Sequence, residues 1–532
     1  MNTSQIPILI PAAFLFASML IPFAGYISRR LAHVTALLST GLITYFSVAG
    51  LWAVLAEGRI SYHLAGWMPP FGIELIMDPL SAFMCTLITG ISFIVLIYSG
   101  KMVEHETPHK AIAFYTLTML LLAGLCGMVL TADLFNLYVF LEIAAIAGYA
   151  LVAIGDKRAP VAAFRYLTLG TLGAAFYLLG VAFIFISTGS LNMGDVSRVL
   201  PLLEDSRPVV MGLTLIVLGI GLKMALFPMH AWMPDAYAYA SSAATALIAP
   251  IGTKVAAYVL FRVMFYVVDP DFLRNDLHLL QIVGYLGAIG VLWGSILAIC
   301  QKELKLMLAY SSVAQVGYIA VGIGLASPLG FIGAILHALN HACMKACLFF
   351  ISGSLRMKIG HSTIADMNDS LRKAMPWTSA AFVVAAISMI GLPPTAGFFG
   401  KWYLALGAIE QSNWIFLGVL LVSTLLNAVY FFKVLERMYL KPQVAVAPLP
   451  SHKPAQDTHD SHNAHDSHED HDAHSAHDSH EAPHPAAVVA RNEPPASILL
   501  PTLGLSFSLL VLGLANAWIV THLIVPMIPD WL

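Results

Sequence analysis

The sequence predicts an all-α polytopic membrane protein of about fourteen transmembrane helices, with two inverted five-helix repeats and broken helices seven and twelve. Three observations predict it. The 532 residues are 58% hydrophobic and only 11% charged, with a mean hydropathy of +0.79, far outside the range of soluble domains. Apolar runs of bilayer-spanning length recur about fourteen times, centred near residues 16, 43, 89, 120, 143, 176, 220, 255, 289, 316, 341, 388, 424 and 510. Two of those runs are interrupted by proline and glycine at corresponding places in the two halves of the chain.

The first run, "IPILIPAAFLFASMLIPFAGY", is long enough to span. It lacks a basic leader and a small-residue cleavage site, so it reads as a retained helix and not as a signal peptide. Residues 57–77 alternate apolar and polar residues around Pro69 and Pro70, which predicts a short external hairpin. The loops are short and unequal in charge. Arg29 and Arg30, Lys101 and Lys110, Lys157 and Arg158, Lys302 and Lys305, Arg356 to Lys373, and Lys433 to Lys441 all fall in odd-numbered loops. By the positive-inside rule those loops are cytoplasmic. The expected placement is therefore a bacterial-type inner (plasma) membrane with both termini outside.

The seventh run reads "LTLIVLGIGLKMALFPMHAWMPDAYAYA", with Pro228 and Pro234 behind Lys223. The twelfth reads "AAISMIGLPPTAGFFGKWYLALGAI", with Gly391, Pro393, Pro394, Gly397 and Gly400 ahead of Lys401. Breaks of this kind strand carbonyls and amides, which the bilayer tolerates only where protein or water satisfies them. The expected units are 1–109 (helices one to three with the hairpin), 110–270 (first repeat, helices four to eight), 271–441 (second repeat, helices nine to thirteen), 442–495 (a disordered, His-rich cytoplasmic linker) and 496–532 (helix fourteen).

Within the linker every third residue is histidine: His459, His462, His465, His468, His471, His474, His477 and His480. That period aligns imidazoles along one edge of an extended chain. It reads as an acidic tether, with weak Zn, Ni or Cu binding or pH sensitivity as the alternative. A net charge of -3 with no single basic face gives no sign of a nucleic-acid partner. The five cysteines lack zinc or haem spacing and read as packing residues.

The residues that carry chemistry are the ionisable ones inside apolar helices: Glu142, Lys223, Lys254, His337, His341, Lys345 and Lys401. A charge in hydrocarbon costs several kcal/mol unless paired or hydrated, so a chain with several of them is expected to move charge. Glu142, with Lys223 as the nearest counter-charge, forms a pair whose members change protonation together. A fixed structural ion pair is the alternative. Lys254 lies mid-span with more than a turn of largely apolar residues on either side, too deep for simple snorkelling. His337, His341 and Lys345 are spaced i, i+4, i+8 and share one helical stripe. Two histidines four apart can ligate a metal, but no third ligand is obvious and no firm metal site is expected. His230, Asp235, Lys302 and Lys305 lie nearer an interface and read as structural or access-path residues.

At these residues the sequence resembles a family. The runs "DLFNLYVFLEI", "GLKMALFPMHAWMPDAYAYASSAATALIAPIGTKVAAYVLFR", "LKLMLAYSSVAQVGYI", "HALNHACMKACLFFISGS" and "GLPPTAGFFGKW" are similar to the antiporter-like subunits shared by respiratory complex I, membrane-bound hydrogenases and Mrp-type multisubunit Na+/H+ antiporters, the Mrp D subunit most of all. The resemblance covers residues 70 to 440. It implies fourteen helices around a central hydrophilic axis, with Glu142 and Lys223 as a switchable pair, Lys254 as central relay, the histidine stripe as linker and Lys401 as exit lysine. It implies a proton-translocating subunit of a multisubunit cation/proton antiporter, with H+ and Na+ as the ions and other membrane subunits as partners. The alternative is the ion-pumping subunit of a complex I-like oxidoreductase or energy-converting hydrogenase. No nucleotide, flavin or iron-sulfur motif is present, so no cofactor is expected on this chain, and whether an enzyme reaction is attached depends on its neighbours. The His-rich insertion departs from the family pattern.

Overall fold

The computed structural model describes residues 3–155, 158–203, 206–269, 271–440, 491–529 and 531–532. The eight histidines of the tract lie outside the described residues. The helices are α1 (Ile6–Ile27), α2 (Arg29–Glu57), α3 (Pro79–Glu106), α4 (Ala111–Leu130), α5 (Leu134–Ala153), α6 (Ala159–Thr188) and α7 (Met193–Val199). They continue with α8 (Arg207–Met224), α9 (Met233–Tyr239), α10 (Ser242–Arg262), α11 (Leu279–Cys300), α12 (Leu304–Leu325) and α13 (Pro328–Ile359). The last are α14 (Asp369–Ala374), α15 (Pro376–Ile390), α16 (Ala396–Glu410), α17 (Trp414–Tyr439), α18 (Ala496–Leu514) and α19 (Asn516–Ile519).

Thirteen of the described helical segments are long and apolar enough to cross a membrane. Neither α15 nor α16 is among them, because each has only 15 residues. They flank the break at the place of the twelfth apolar run. Both expected breaks are present: α8 stops at Met224 and the chain resumes as α9, and α15 stops at Ile390 before α16.

Burial sorts the helices into an inner and an outer set. The apolar windows of α10 and α13 are 94% buried, whereas those of α2 and α17 are 33% buried, so α10 and α13 form the centre and α2 and α17 turn most of their surface outward. Helices in a bilayer approach closely through small residues. A Cβ on Gly180 of α6 would lie 2.6 Å from the Gly212 carbonyl oxygen of α8, and one on Gly317 of α12 would lie 2.5 Å from the Gly287 carbonyl oxygen of α11. The inner helices α10, α12 and α13 carry Lys254, His337, His341 and Lys345.

The expected hairpin forms as β1 (Ile60–His63) paired antiparallel with β2 (Glu74–Met77). Glu74 anchors it, accepting from Ser61 Oγ at 2.5 Å and from Asn192 Nδ2 at 3.0 Å. Directly after β2, Asp78 caps α3 in a reciprocal capping box with Ser81. The same carboxylate takes a two-pronged bond from Arg262 at the end of α10, at 2.6 and 2.8 Å. Burial alone would raise this carboxyl, but the Arg262 guanidinium and the Ser81 bonds hold it below the usual carboxylate range.

The expected linker runs to residue 495, yet its last five residues are described and bonded. Asn492 N donates to Ala374 O at 2.8 Å, and Asn492 Oδ1 accepts from Lys358 Nζ at 3.0 Å. Glu493 accepts from Trp377 N at 2.6 Å, from Thr378 N at 3.3 Å and from Thr378 Oγ1 at 2.6 Å. The cause is local: a helix that starts with Pro376 has orphan amides, and a nearby carboxylate satisfies them.

Candidate functional site

At the first break, α8 ends with Ala225 in the left-handed region (φ 61°, ψ 40°), an uncommon conformation for a residue with a side chain. The Leu222 carbonyl at the break accepts from Ala225 N at 3.1 Å and from the Trp232 indole at 2.9 Å. Trp232 stacks on Tyr166 with ring centroids 4.1 Å apart, and Tyr166 meets Tyr149 edge-on at 4.6 Å. This aromatic column holds Tyr149 against Lys223, whose ammonium donates to Tyr149 Oη at 3.0 Å and lies 5.5 Å from its ring centroid.

Tyr149 and Glu142 are two turns apart on α5 and share a face. Glu142 lies within the electrostatic reach of Lys223, but the pair is not closed. The Lys223 ammonium is bonded to the tyrosine, and Glu142 Oε1 is buried without a hydrogen-bond partner among the described residues. Tyr149 is the bonded partner of Lys223 that the spacing of charged residues did not reveal.

A cavity of about 50 Å³ is lined by Lys223, Trp232, Tyr237 and Thr253 among largely apolar neighbours. The Tyr237 and Thr253 hydroxyls are buried with no hydrogen-bond partner among the described residues. A space of that volume is large enough for a water, and Lys223, Tyr237 and Thr253 are the polar groups in its lining that would bond it. Thr253 adjoins Lys254, which is 1% exposed. The Lys254 side chain folds back along α10 and donates to Ala249 O at 2.8 Å.

His337, His341 and Lys345 follow along α13, each 0% exposed. The imidazole rings stack with centroids 5.9 Å apart and planes 10° from parallel. None of their four ring nitrogens has a hydrogen-bond partner among the described residues. Lys254 lies within electrostatic reach of both histidines and of Lys345. Lys345 donates to Leu308 O at 2.7 Å and to Ser311 Oγ at 2.5 Å. Seven residues on, Tyr318 lies 5.1 Å from the His337 ring. With Ser311 beside Lys345 and Tyr318 beside His337, the antiparallel register sets Gln315 alongside His341, and both Gln315 amide atoms are buried and unpartnered.

Lys401 closes the line at the second break. It is 8% exposed, donates to Met389 O at 3.0 Å and to Ile390 O at 2.9 Å, and lies 5.1 Å from the Tyr318 ring centroid. The turn there needs glycine, because Gly391 adopts φ +89° with the Lys401 side chain against it. Asn340 Nδ2 donates to Ala396 O at 2.7 Å, tying α13 to the start of α16. Tyr318 extends the polar line into α17 through Ser423 Oγ at 2.6 Å and Asn427 Nδ2 at 3.2 Å.

Lys254, His341, Lys345, His337 and Lys401 thus form one neighbourhood, and Lys223 lines the cavity that Thr253, the neighbour of Lys254, also lines. The secondary residues fall outside it. Asp235 is ion-paired with Arg165 at 2.5 Å, Lys305 donates to Ala240 O, and Lys302 is exposed. His230 is buried, stacked on Phe227 at 5.6 Å, with Nδ1 unpartnered. Gln315 was open to the same logic as the charged residues, being a lone amide in an apolar run. Tyr149, Trp232 and Tyr318 were not, since aromatic residues are common in such helices.

Every group in the row exchanges protons on nitrogen or oxygen. Among the described residues no group of three or more His, Cys, Asp or Glu side chains is placed to hold a metal.

Residues 131–427 match the family model described as "NADH:quinone oxidoreductase/Mrp antiporter, TM". Residues 67–108 match the "NADH-Ubiquinone oxidoreductase (complex I), chain 5 N-terminus" model. The chain is 43% identical over 539 residues to the N subunit of the NADH-quinone oxidoreductase of Desulforudis audaxviator, covering 98% of each chain. It is 31% identical over 435 residues to the D subunit of the Na(+)/H(+) antiporter of Alkalihalophilus pseudofirmus, covering 81% of this chain and 86% of that one. It superposes on a chain of the membrane-bound sulfane sulfur reductase, an archaeal respiratory membrane complex, with a TM-score of 0.83 and 27% identity, over 98% of this chain and 96% of that one. These homologues are subunits of hetero-oligomeric membrane complexes.

Proposed function

Because the chain belongs to the family of antiporter-like membrane subunits of Mrp and complex I-like complexes, we propose that it conducts protons along Glu142, Lys223, Lys254, His341, His337 and Lys401, with Lys345 as a side branch. The observation that carries this reading is the histidine pair. Four imidazole nitrogens and a glutamine amide lie fully buried between lysines with no protein partner among the described residues, where buried polar groups require hydrogen bonds. Water joined to these groups makes a continuous line of exchangeable protons.

Lysines along the row repel one another when both are charged, so a proton arriving at Lys254 favours release at a neighbour. The neutral histidines accept and donate through different nitrogens and pass a proton without a net charge remaining between the lysines. At the entry, the Tyr149 hydroxyl links Lys223 towards Glu142. The loop charges support both termini outside and the His-rich loop in the cytoplasm.

The test is proton flux in sealed vesicles containing the assembled complex. Lys254→Met, which keeps the volume but cannot carry a proton, is expected to abolish flux while the complex still assembles. Wild-type flux in that variant would overturn the reading.

A second reading concerns the driving force. The full-length match at 43% identity to a component of an NADH-quinone oxidoreductase favours a redox-driven complex, whereas the 31% match to a component of an antiporter favours an ion gradient. Identifying the chains that co-purify separates them: redox proteins support the first, small Mrp-like membrane proteins the second.

A further inference from the structure

Away from the proton row, the turn between α1 and α2, the end of α3, the start of α4 and the first turn of α18 converge on one face of the protein. They enclose a cavity of about 710 Å³. Its mouth carries Arg29, Arg30 and Lys101, and its wall carries Val34, Ile97 and Tyr115. Lys101 is neutralised by Glu104 at 2.8 Å. Arg29 and Arg30 are exposed and make no ion pair within 4 Å among the described residues, although Glu104, which also lines the recess, lies within electrostatic reach of Arg30; three basic side chains thus face one carboxylate at the level where spanning helices begin and end.

From this arrangement we propose that the recess binds one anionic phospholipid, with its phosphate between Arg29 and Arg30 and the upper part of an acyl chain along Val34 and Ile97. Guanidinium groups match phosphate oxygens in paired geometry. Basic pockets between helix ends at the membrane surface suit acidic headgroups. The apolar wall selects an amphipathic ligand over free phosphate, and the site's position at helix ends gives a bilayer lipid direct access to it. Neither feature depends on the proton row.

The experiment is native mass spectrometry of the full chain released from nanodiscs of equal phosphatidylglycerol and phosphatidylcholine. One phosphatidylglycerol is expected to remain bound in preference to phosphatidylcholine. Arg29→Gln with Arg30→Gln is expected to lower that retention roughly thirtyfold, given the usual contribution of each basic side chain near an acidic headgroup. Arg59→Gln with Arg198→Gln, which changes net charge equally at other exposed sites, is expected to leave retention unchanged. Equal retention of the two lipids, full retention in the Arg29/Arg30 variant, or displacement of the lipid by millimolar inorganic phosphate would each overturn the proposal. So would a photo-crosslinker at Val34 that, in native membranes, captures a protein chain and no lipid.

Discussion

Glu493 and Lys401 hold opposite ends of the same helix. The Glu493 carboxylate accepts from the first amides of α15, and the Lys401 ammonium donates to the carbonyls of Met389 and Ile390 at its end. Each charge matches the sign that the helix dipole favours at that terminus. The short helix before the second break is thereby fixed to the strap that enters α18 and to the last lysine of the proposed row.

If α15 must be held at both ends for Lys401 to sit at the break, Glu493→Gln is expected to cost about 1 kcal/mol of stability. It should also slow vesicle proton flux without abolishing it. Lys401→Met is expected to abolish flux. Thermal unfolding of the purified chain and dye-monitored acidification check the two effects separately. Unchanged flux and melting in Glu493→Gln would remove the strap from the mechanism.

Tyr149 connects Lys223 with the face of α5 that carries Glu142. Tyr149→Phe keeps the ring against Tyr166 and removes only the hydroxyl, so the packing of the break should survive. Flux is expected to fall roughly tenfold, the scale of one lost hydrogen bond. Flux equal to wild type would mean that protons reach Lys223 by another path.

His341→Ala or His337→Ala is expected to reduce flux about a hundredfold, the usual scale for losing a positioned acid-base group. Gln315→Leu should act in the same direction by removing polar groups beside His341. Flux that withstands both histidine substitutions would show that the stacked imidazoles are packing residues.

The Asp78–Arg262 pair joins the hairpin, α3 and α10. Asp78→Asn leaves the guanidinium unpaired and is expected to destabilise the chain by about 3 to 5 kcal/mol. Because the folded carboxyl lies below its usual range, its contribution is complete above the unfolded value, about pH 3.9. It is lost as pH falls through the lower folded value. Melting temperature measured from pH 6 down to pH 3 should fall in the wild type and lose part of that acid dependence in Asp78→Asn.

Deleting residues 451–485 leaves Asn492 and Glu493 in place. Proton flux is expected to match wild type in metal-free buffer, measured in the same vesicles. A large loss would make the histidine tract part of the transport path.

The membrane class, the succession of apolar helices and both breaks were legible because each has a strong local signature: length of apolar run, or proline and glycine beside a lysine. The buried ionisable residues were legible for a related reason, since a lysine such as Lys254 in the middle of a span has few bland explanations. What spacing could not supply was the identity of the partners. Lys223 is bonded to a tyrosine from α5, and Lys401 to two carbonyls of α15, because a helix break exposes acceptors that no pattern of side chains records. The strap was hidden for a different reason. Glu493 sits beside a low-complexity run and shares its composition, while its role depends on a helix more than a hundred residues earlier.

The two interruptions are closed by different chemistry. An indole N–H is a neutral donor that stays in place at any pH the protein survives, so the joint at Leu222 is permanent. An ammonium has three hydrogens to offer, and an amine that has given one up has two and no charge. In the proposed row, discharge of Lys401 would therefore weaken the joint at Met389 and Ile390 and reloading would strengthen it, whereas the indole that closes the joint at Leu222 has no proton to give up.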